Sequence, residues 1–223
     1  MRRIHIPNMG ADTGNIPKAF ALGLKLCEEA GTNELTLVMP SKGNLSTTVV
    51  GEFLGEAASK RLMAGETVTV RGSVSLRCES PKTLKKRSEP DVVLAFYISS
   101  DDLNVIDSLR GTHAAIYVPW LDADGVTWQR TWNAEVPGQP KVETAPTLDP
   151  RVESGLRSLT SHVNLSTGLS HPSDKRDAKK LFTDLRSSRV TYDPAEIRVW
   201  AVRNGWRPND ADELMQLSAR YLM

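Results

Sequence analysis

The stretch LTLVMPSKGNLSTTVV, residues 35–50, carries an apolar run into a proline, a Gly/Ser/Thr-rich turn and the start of a segment rich in Ala, Leu and Glu. Leu35-Thr-Leu-Val-Met39 reads as a buried strand ended at Pro40, and Val49 to Met63 as one helix that stops before Gly65. The same plan opens the chain. Ile4 and Ile6 mark a strand that stops at Pro7, Asn8-Met-Gly-Ala-Asp-Thr-Gly-Asn15 forms the turn, and Pro17 suits the first turn of a helix. Phe20, Leu24 and Cys27 share one face of that helix, Leu22 and Leu26 widen the stripe, and Gly31 is its expected stop.

Further on, apolar residues alternate from Val68 to Cys78, with Gly72 as the flex point, which predicts one half-buried strand at an edge or bend. Asp91 to Ile98 reads as a central strand, Asp101 to Leu109 as a short helix and His113 to Val118 as another strand. Trp128 and Trp132, four residues apart, suit a closing helix that lays its indoles on the sheet or on another partner. Strands that alternate with helices and are apolar on both faces predict an α/β fold. Its open sheet is mostly parallel, in three layers of Rossmann-like or flavodoxin-like kind.

Composition changes at Val136, and the domains expected are an α/β sheet domain over 1–136, a proline-rich linker over 137–147 and a small helical domain over 148–223. Asp149-Pro150 and Asp193-Pro-Ala-Glu196 read as capped helix starts, Ser161 to Ser173 as a Ser/His/Gly loop, and Asn204-Gly205 as a helix stop. Val152, Leu156 and Leu159 form one inward stripe, Ala178, Leu181, Phe182 and Leu185 a second, and Leu214, Leu217, Tyr221 and Leu222 a third. Within this region Ile197 to Trp206, followed by a turn and a helix, resembles the small helical modules that close some bacterial nucleoid-associated proteins. The likeness spans about a tenth of the chain and departs at Arg207 to Glu213, where acidic residues occupy the helix start that would face phosphate.

Right-handed crossovers place both opening loops on the edge where the strands end, the usual ligand edge of an open α/β sheet. Each turn aims backbone N–H groups and a helix start at that edge, which suits an anion. In the second loop Ser41, Lys42, Gly43, Asn44, Ser46 and Thr47 are the candidate contacts: Lys42 brings charge, Ser46 and Thr47 bring hydroxyl donors, and Gly43 permits close approach. In the first, Asn8, Gly10, Asp12, Thr13, Gly14 and Asn15 are the candidates, with Asn8, Asp12 and Thr13 suited to sugar or base hydroxyls. The plainer readings stand beside these: a Ser or Thr that caps the helix after Pro40, and an Asp12 that caps the first helix. Neither loop carries the P-loop or the Gly-x-Gly-x-x-Gly fingerprint, so no standard nucleotide or dinucleotide cofactor is assigned.

The charge balance, Lys+Arg 28 against Asp+Glu 27, argues against a dedicated nucleic-acid binder. Lys82, Lys85, Lys86 and Arg87 form the densest basic run, read as a solvated face or a polyanion contact. Asp122, Asp124 and Gly125 resemble the start of a calcium loop without its later ligands, and His5, His113, His162 and His171 show no metal spacing, so no metal is expected. Cys27 and Cys78 fall at apolar positions and read as buried free thiols. No signal peptide or membrane span is legible, which points to a cytoplasmic protein. The function expected is binding of a small anionic ligand, phosphate-bearing or nucleotide-like, at the strand-end edge. The alternative is a non-catalytic interaction or oligomerisation protein that uses the C-terminal helices with Trp200 and Trp206; DNA contact through the basic run and tail ranks third. No reaction and no catalytic residue can be assigned.

Overall fold

The computed structural model describes residues 1–84, 91–140 and 148–222. The chain forms two compact units, Met1–Val142 and Glu143–Met223. The first holds a six-stranded sheet in the order β1-β6-β5-β2-β4-β3. The strands are β1 (Arg2–His5), β2 (Glu34–Val38), β3 (Val68–Thr69), β4 (Ser75–Glu79), β5 (Val92–Phe96) and β6 (Ala114–Val118). Every pairing is parallel except β3 with β4. The order is neither 3-2-1-4-5-6 nor 2-1-3-4-5, the two common doubly wound arrangements.

Helices cover both faces, so the predicted three layers are present. Leu35, Leu37, Leu76, Val92, Leu94, Phe96 and Ile116 pack against α1 (Asn15–Ala30), α2 (Val49–Leu54) and α3 (Glu56–Met63). Val38, Val93, Ala95, Ala115 and Tyr117 point the other way, toward α4 (Pro81–Leu84), α5 (Ser100–Asp107) and α6 (Asp122–Trp132). Strands buried on both faces are the reason the sequence shows apolar runs where a half-exposed sheet would alternate. The outer side of β1 is closed by its own chain: His5 N–H donates to the Glu135 carbonyl and Glu135 N–H to the Arg3 carbonyl, each at 2.8 Å.

Two expected elements divide at glycine. The helix expected over Val49 to Met63 is broken into α2 and α3 by Gly55, whose φ of 83° is left-handed and cannot continue a helix. The single strand expected over Val68 to Cys78 is a hairpin: Gly72 at φ 66° turns the chain, and β3 lies antiparallel on β4. Alternation of apolar residues is the same on both arms, so it did not reveal the reversal. Of the basic run, Lys82 lies in α4, while Lys85, Lys86 and Arg87 fall outside the described residues. The part of the expected linker from 141 to 147 does too.

The second unit is helical: α7 (Pro150–His162), α8 (Pro172–Ser187), α9 (Pro194–Arg203) and α10 (Pro208–Ala219). Each begins with proline in its first turn, where a missing N–H costs nothing. Asp149 and Asp193 cap α7 and α9 by accepting from Arg151 N and Ala195 N at 2.8 and 2.9 Å. Val152, Leu156, Ala178, Phe182, Ile197 and Leu214 fill the interior, joined by Trp200 and Trp206. The Trp206 indole donates to Thr160 Oγ1 at 2.9 Å. Leu222, expected inward, is 42% exposed, because α10 ends at Ala219 and the Tyr221 ring takes the place against Phe182.

In the sheet unit, two polar nodes tie helices to β1. Asp107 accepts from Arg3 Nε at 2.8 Å and from the indoles of Trp128 and Trp132 at 3.0 and 2.9 Å, while the Arg3 guanidinium lies 3.9 Å over the Trp132 ring. Burial pushes this carboxyl above its ordinary range, against the pull of Arg3 and the indoles. Asp107→Ala strands a cation and two indole donors at once. The expected loss of unfolding free energy is about 3–5 kcal/mol by urea titration; a loss under about 1 kcal/mol contradicts this role.

His5, 1% exposed, sits beneath Gly125, where an added Cβ would come within 1.9 Å of its Nε2. Its Nδ1 is 3.3 Å from Gln129 Oε1 and its Nε2 is 3.5 Å from Asp122 Oδ1. Burial lowers its pKa, outweighing Gln129 and Asp122. The folded state therefore favours neutral His5, and the unfolded chain takes up the proton first as pH falls below about 6.5. That contribution to stability is complete above this pH and is lost as pH drops toward the depressed folded value. The fall in urea midpoint between pH 7.5 and 5.5 is expected to be larger for the wild type than for His5→Gln; equal falls contradict the assignment.

Candidate functional site

Four adjacent strands, β1, β6, β5 and β2, end on one edge. The outer two, β1 and β2, continue into helices on one face of the sheet, and the inner two, β6 and β5, into helices on the other. Chain that leaves adjacent strands toward opposite faces opens a crevice between them, here between β1 and β6 and again between β5 and β2. The two sequence-predicted loops thus share an edge but do not touch: three strand spacings separate them, about 14 Å. Tyr97 and Trp120 occupy the ground between.

In the first loop the side chains mostly bind one another. Asn8, 4% exposed, donates from Nδ2 to the carbonyls of Gly10 and Pro119, both at 2.9 Å, and Gly10 N–H donates to the Trp120 carbonyl at 2.7 Å. These bonds pin the loop after β1 to the loop after β6. Asp12 accepts from Gly14 N at 2.8 Å and from Asn15 Nδ2 at 3.1 Å, a local turn just ahead of α1; the N-cap position is Gly14, so the side-chain cap expected of Asp12 is not formed. Asn15 also reaches the Pro7 carbonyl, at 2.9 Å. Asp12, Thr13 and Gly14 remain exposed on the rim.

The second loop is a 3-10 turn, Lys42–Thr47. Ser46 Oγ and Thr47 Oγ1 donate back to the carbonyls of Gly43 and Asn44, at 3.3 and 3.2 Å, so the hydroxyl hydrogens expected to serve a ligand are spent within the loop, and no Ser or Thr side chain caps α2. Lys42 Nζ lies 3.1 Å from Glu79 Oε2, at the end of β4. Glu79 is 1% exposed, so the Lys42 charge already balances a buried carboxylate. Ser41, Gly43 and Asn44 are exposed.

Sequence reasoning missed the residues between the loops. Tyr97, which follows β5, has φ 58°. Among the described residues the two other non-glycine residues with positive φ, Asn133 and Arg189, follow helix ends, where the conformation is ordinary. For a bulky residue after a strand it costs about 1–3 kcal/mol, and such strain concentrates at functional sites. The Tyr97 hydroxyl is buried without a hydrogen-bond partner among the described residues. Burial raises its pKa, and the Asp12 charge raises it further.

Tyr97 also belongs to a run of rings along the edge. Phe53 meets Phe20 at 5.1 Å, Phe20 meets Phe96 at 5.9 Å, Phe96 meets Tyr97 at 5.8 Å, and Tyr97 meets Trp120 edge-on at 5.2 Å. Its ends lie open: Phe53 is 47% and Trp120 46% exposed, and Met9 and Leu121 stand exposed on the neighbouring loops. The one legible signal was the aromatic pair Phe96-Tyr97 at the end of the central strand, which reads equally well as core.

The remaining candidates have structural partners. His171 caps α8 with its Nδ1 facing Ser173, and His162 Nδ1 lies 2.8 Å from the Ser158 carbonyl. Asp122 and Asp124 form the first turn of α6. Among the described residues no group of three or more His, Cys, Asp or Glu has metal-binding proximity, and no helix is long and apolar enough to cross a membrane. A cavity of about 410 Å³ lies away from the rim, on the β1 edge, lined by Arg2, Ile4, Leu22, Glu135 and Val136.

Lys42→Ala leaves buried Glu79 without its ammonium partner and is expected to cost about 2 kcal/mol in urea unfolding, between the surface and buried limits for ion pairs. Adding Glu79→Gln is expected to restore at least half of that loss; a double variant as unstable as the sum of the singles would show that the two residues act separately.

Residues 148–221 match the family model described as a domain of unknown function (DUF1889). No curated protein matches the chain. No solved structure matches it either.

Proposed function

We propose that the strand-end edge of the sheet unit binds a small anionic ligand that carries a planar ring, nucleotide-like in kind, seated across Tyr97 and Trp120 between the two opening loops. The observation that carries this reading is Tyr97: a left-handed aromatic at the end of the central strand, with a buried hydroxyl that lacks a partner among the described residues. A ligand group that accepts from that hydroxyl would compensate its desolvation, and the half-exposed Trp120 ring offers a stacking face. The exposed Ser46 and Thr47 on one side and Asp12 and Thr13 on the other supply acceptors for the hydroxyls of such a ligand. The positive end of the α1 helix dipole, at Asn15, favours the anionic end of the ligand.

Oligomerisation through the C-terminal indoles has less support, since Trp200 and Trp206 are 4% and 3% exposed and are used inside their own unit. We read residues 137–147 as a linker between an independently folding sheet domain and a helical domain. Two buried free cysteines, Cys27 and Cys78, with burial raising their thiol pKa values to about 11 and about 12, support residence in a reducing, cytoplasmic compartment.

The test is a thermal-shift and tryptophan-fluorescence titration of the full chain with adenosine, adenosine monophosphate, adenosine diphosphate and ribose 5-phosphate. A nucleotide is expected to raise Tm and change Trp120 emission, and Tyr97→Phe and Trp120→Ala are each expected to weaken its binding about tenfold, the value of one hydrogen bond or one stacked ring. A panel with no response, or binding indifferent to both substitutions, overturns the reading.

A further inference from the structure

The charge balance of the chain conceals a segregation on α8. Arg176, Lys179, Thr183, Arg186 and Ser187 recur at helical spacing and are all exposed, opposite the buried Ala178, Phe182 and Leu185. Arg176, Lys179 and Arg186 have no ion-pair partner among the described residues. Carboxylates that pair with α8 are engaged by other cations: Asp184 with Lys180 at 2.7 Å and Glu213 with Lys175 at 2.8 Å. Asp177, also exposed, lies to the side of the stripe, next to Lys180. From Arg176 to Arg186 the stripe runs about 15 Å along the helix axis.

We propose that this face of α8 docks on the phosphate backbone of duplex nucleic acid, without reading its sequence. Three cations without ion-pair partners among the described residues, with the Ser187 hydroxyl beside them, form a donor set that phosphate oxygens accept from; the Thr183 hydroxyl donates to the Lys179 carbonyl at 2.8 Å and adds no donor. Cations spaced along one line follow a strand of phosphates, whereas a single phosphorylated ligand would need them to converge. The exposed face carries no large apolar side chain to enter a bilayer, since the apolar stripe of α8 is used inside the unit, which disfavours an anionic membrane as the occupant. This stripe lies outside the segment from Ile197 to Glu213, whose Glu213 meets α8 only at Lys175 among the described ion pairs.

Binding of the full chain to a fluorescein-labelled duplex of mixed sequence, followed by anisotropy between 25 and 100 mM salt, tests the proposal. Neutralising three phosphates gives a slope of log affinity against log salt of about −2.7, a loss of roughly fortyfold over that range. Arg176→Gln with Lys179→Gln and Arg186→Gln is expected to abolish this dependence with Tm unchanged, as all three side chains are exposed, and Arg176→Lys with Arg186→Lys is expected to retain it. The proposal is overturned by an unchanged slope in the triple variant, by absence of duplex binding at 25 mM salt, or by stripe-dependent binding to phosphatidylserine vesicles without binding to duplex.

Discussion

The sheet unit depends on the burial of β5 on every side. Val92 to Phe96 pairs in parallel with β2 along one edge and with β6 along the other, and all five of its side chains are at most 1% exposed. A strand so enclosed has every backbone group committed to the ladder and every side chain committed to one of two apolar layers. Nothing polar can be held along its length, so chemistry is displaced to its ends. Parallel pairing then gathers those ends with the ends of β1, β6 and β2 on a single rim.

Tyr97 is the first residue beyond that constraint. Its N–H still donates to the Val118 carbonyl at 2.9 Å, so the ladder reaches it, while its left-handed backbone sets the half-buried ring at the margin of the core, between Phe96 and Trp120. The loops on either side are held by their own bonds. Asn8 locks the β1 loop to Pro119, and Lys42 locks the β2 loop to Glu79. A rim fixed in this way keeps an open aromatic surface in place without a ligand, which is what a preformed binding edge requires.

The layered fold was legible because buried parallel strands leave contiguous apolar runs, and Asp149-Pro150 and Asp193-Pro194 marked helix starts by chemistry that acts within a few residues. Places where alternation survives a change of direction were not legible. Gly72 reverses the chain inside an unbroken apolar pattern, and Gly55 splits a helix whose composition favours continuity. The candidate loops were found by their turn residues, yet their separation follows from strand order, which puts β6 and β5 between them. Tyr97 escaped notice because a positive φ at a bulky residue leaves no trace in sequence. Composition likewise hid the α8 stripe, since a near-zero net charge says nothing about which carboxylates are already paired.

The account stands on the rim around Tyr97 being the place where a ligand sits. Amide chemical-shift mapping of the isotope-labelled full chain during titration with adenosine monophosphate addresses this most directly. Perturbations are predicted to centre on Gly10, Asp12, Tyr97 and Trp120, with smaller effects at Gly43 and Asn44. Perturbations confined to the cavity at Arg2, Ile4 and Val136, or the absence of any saturable change, would contradict it.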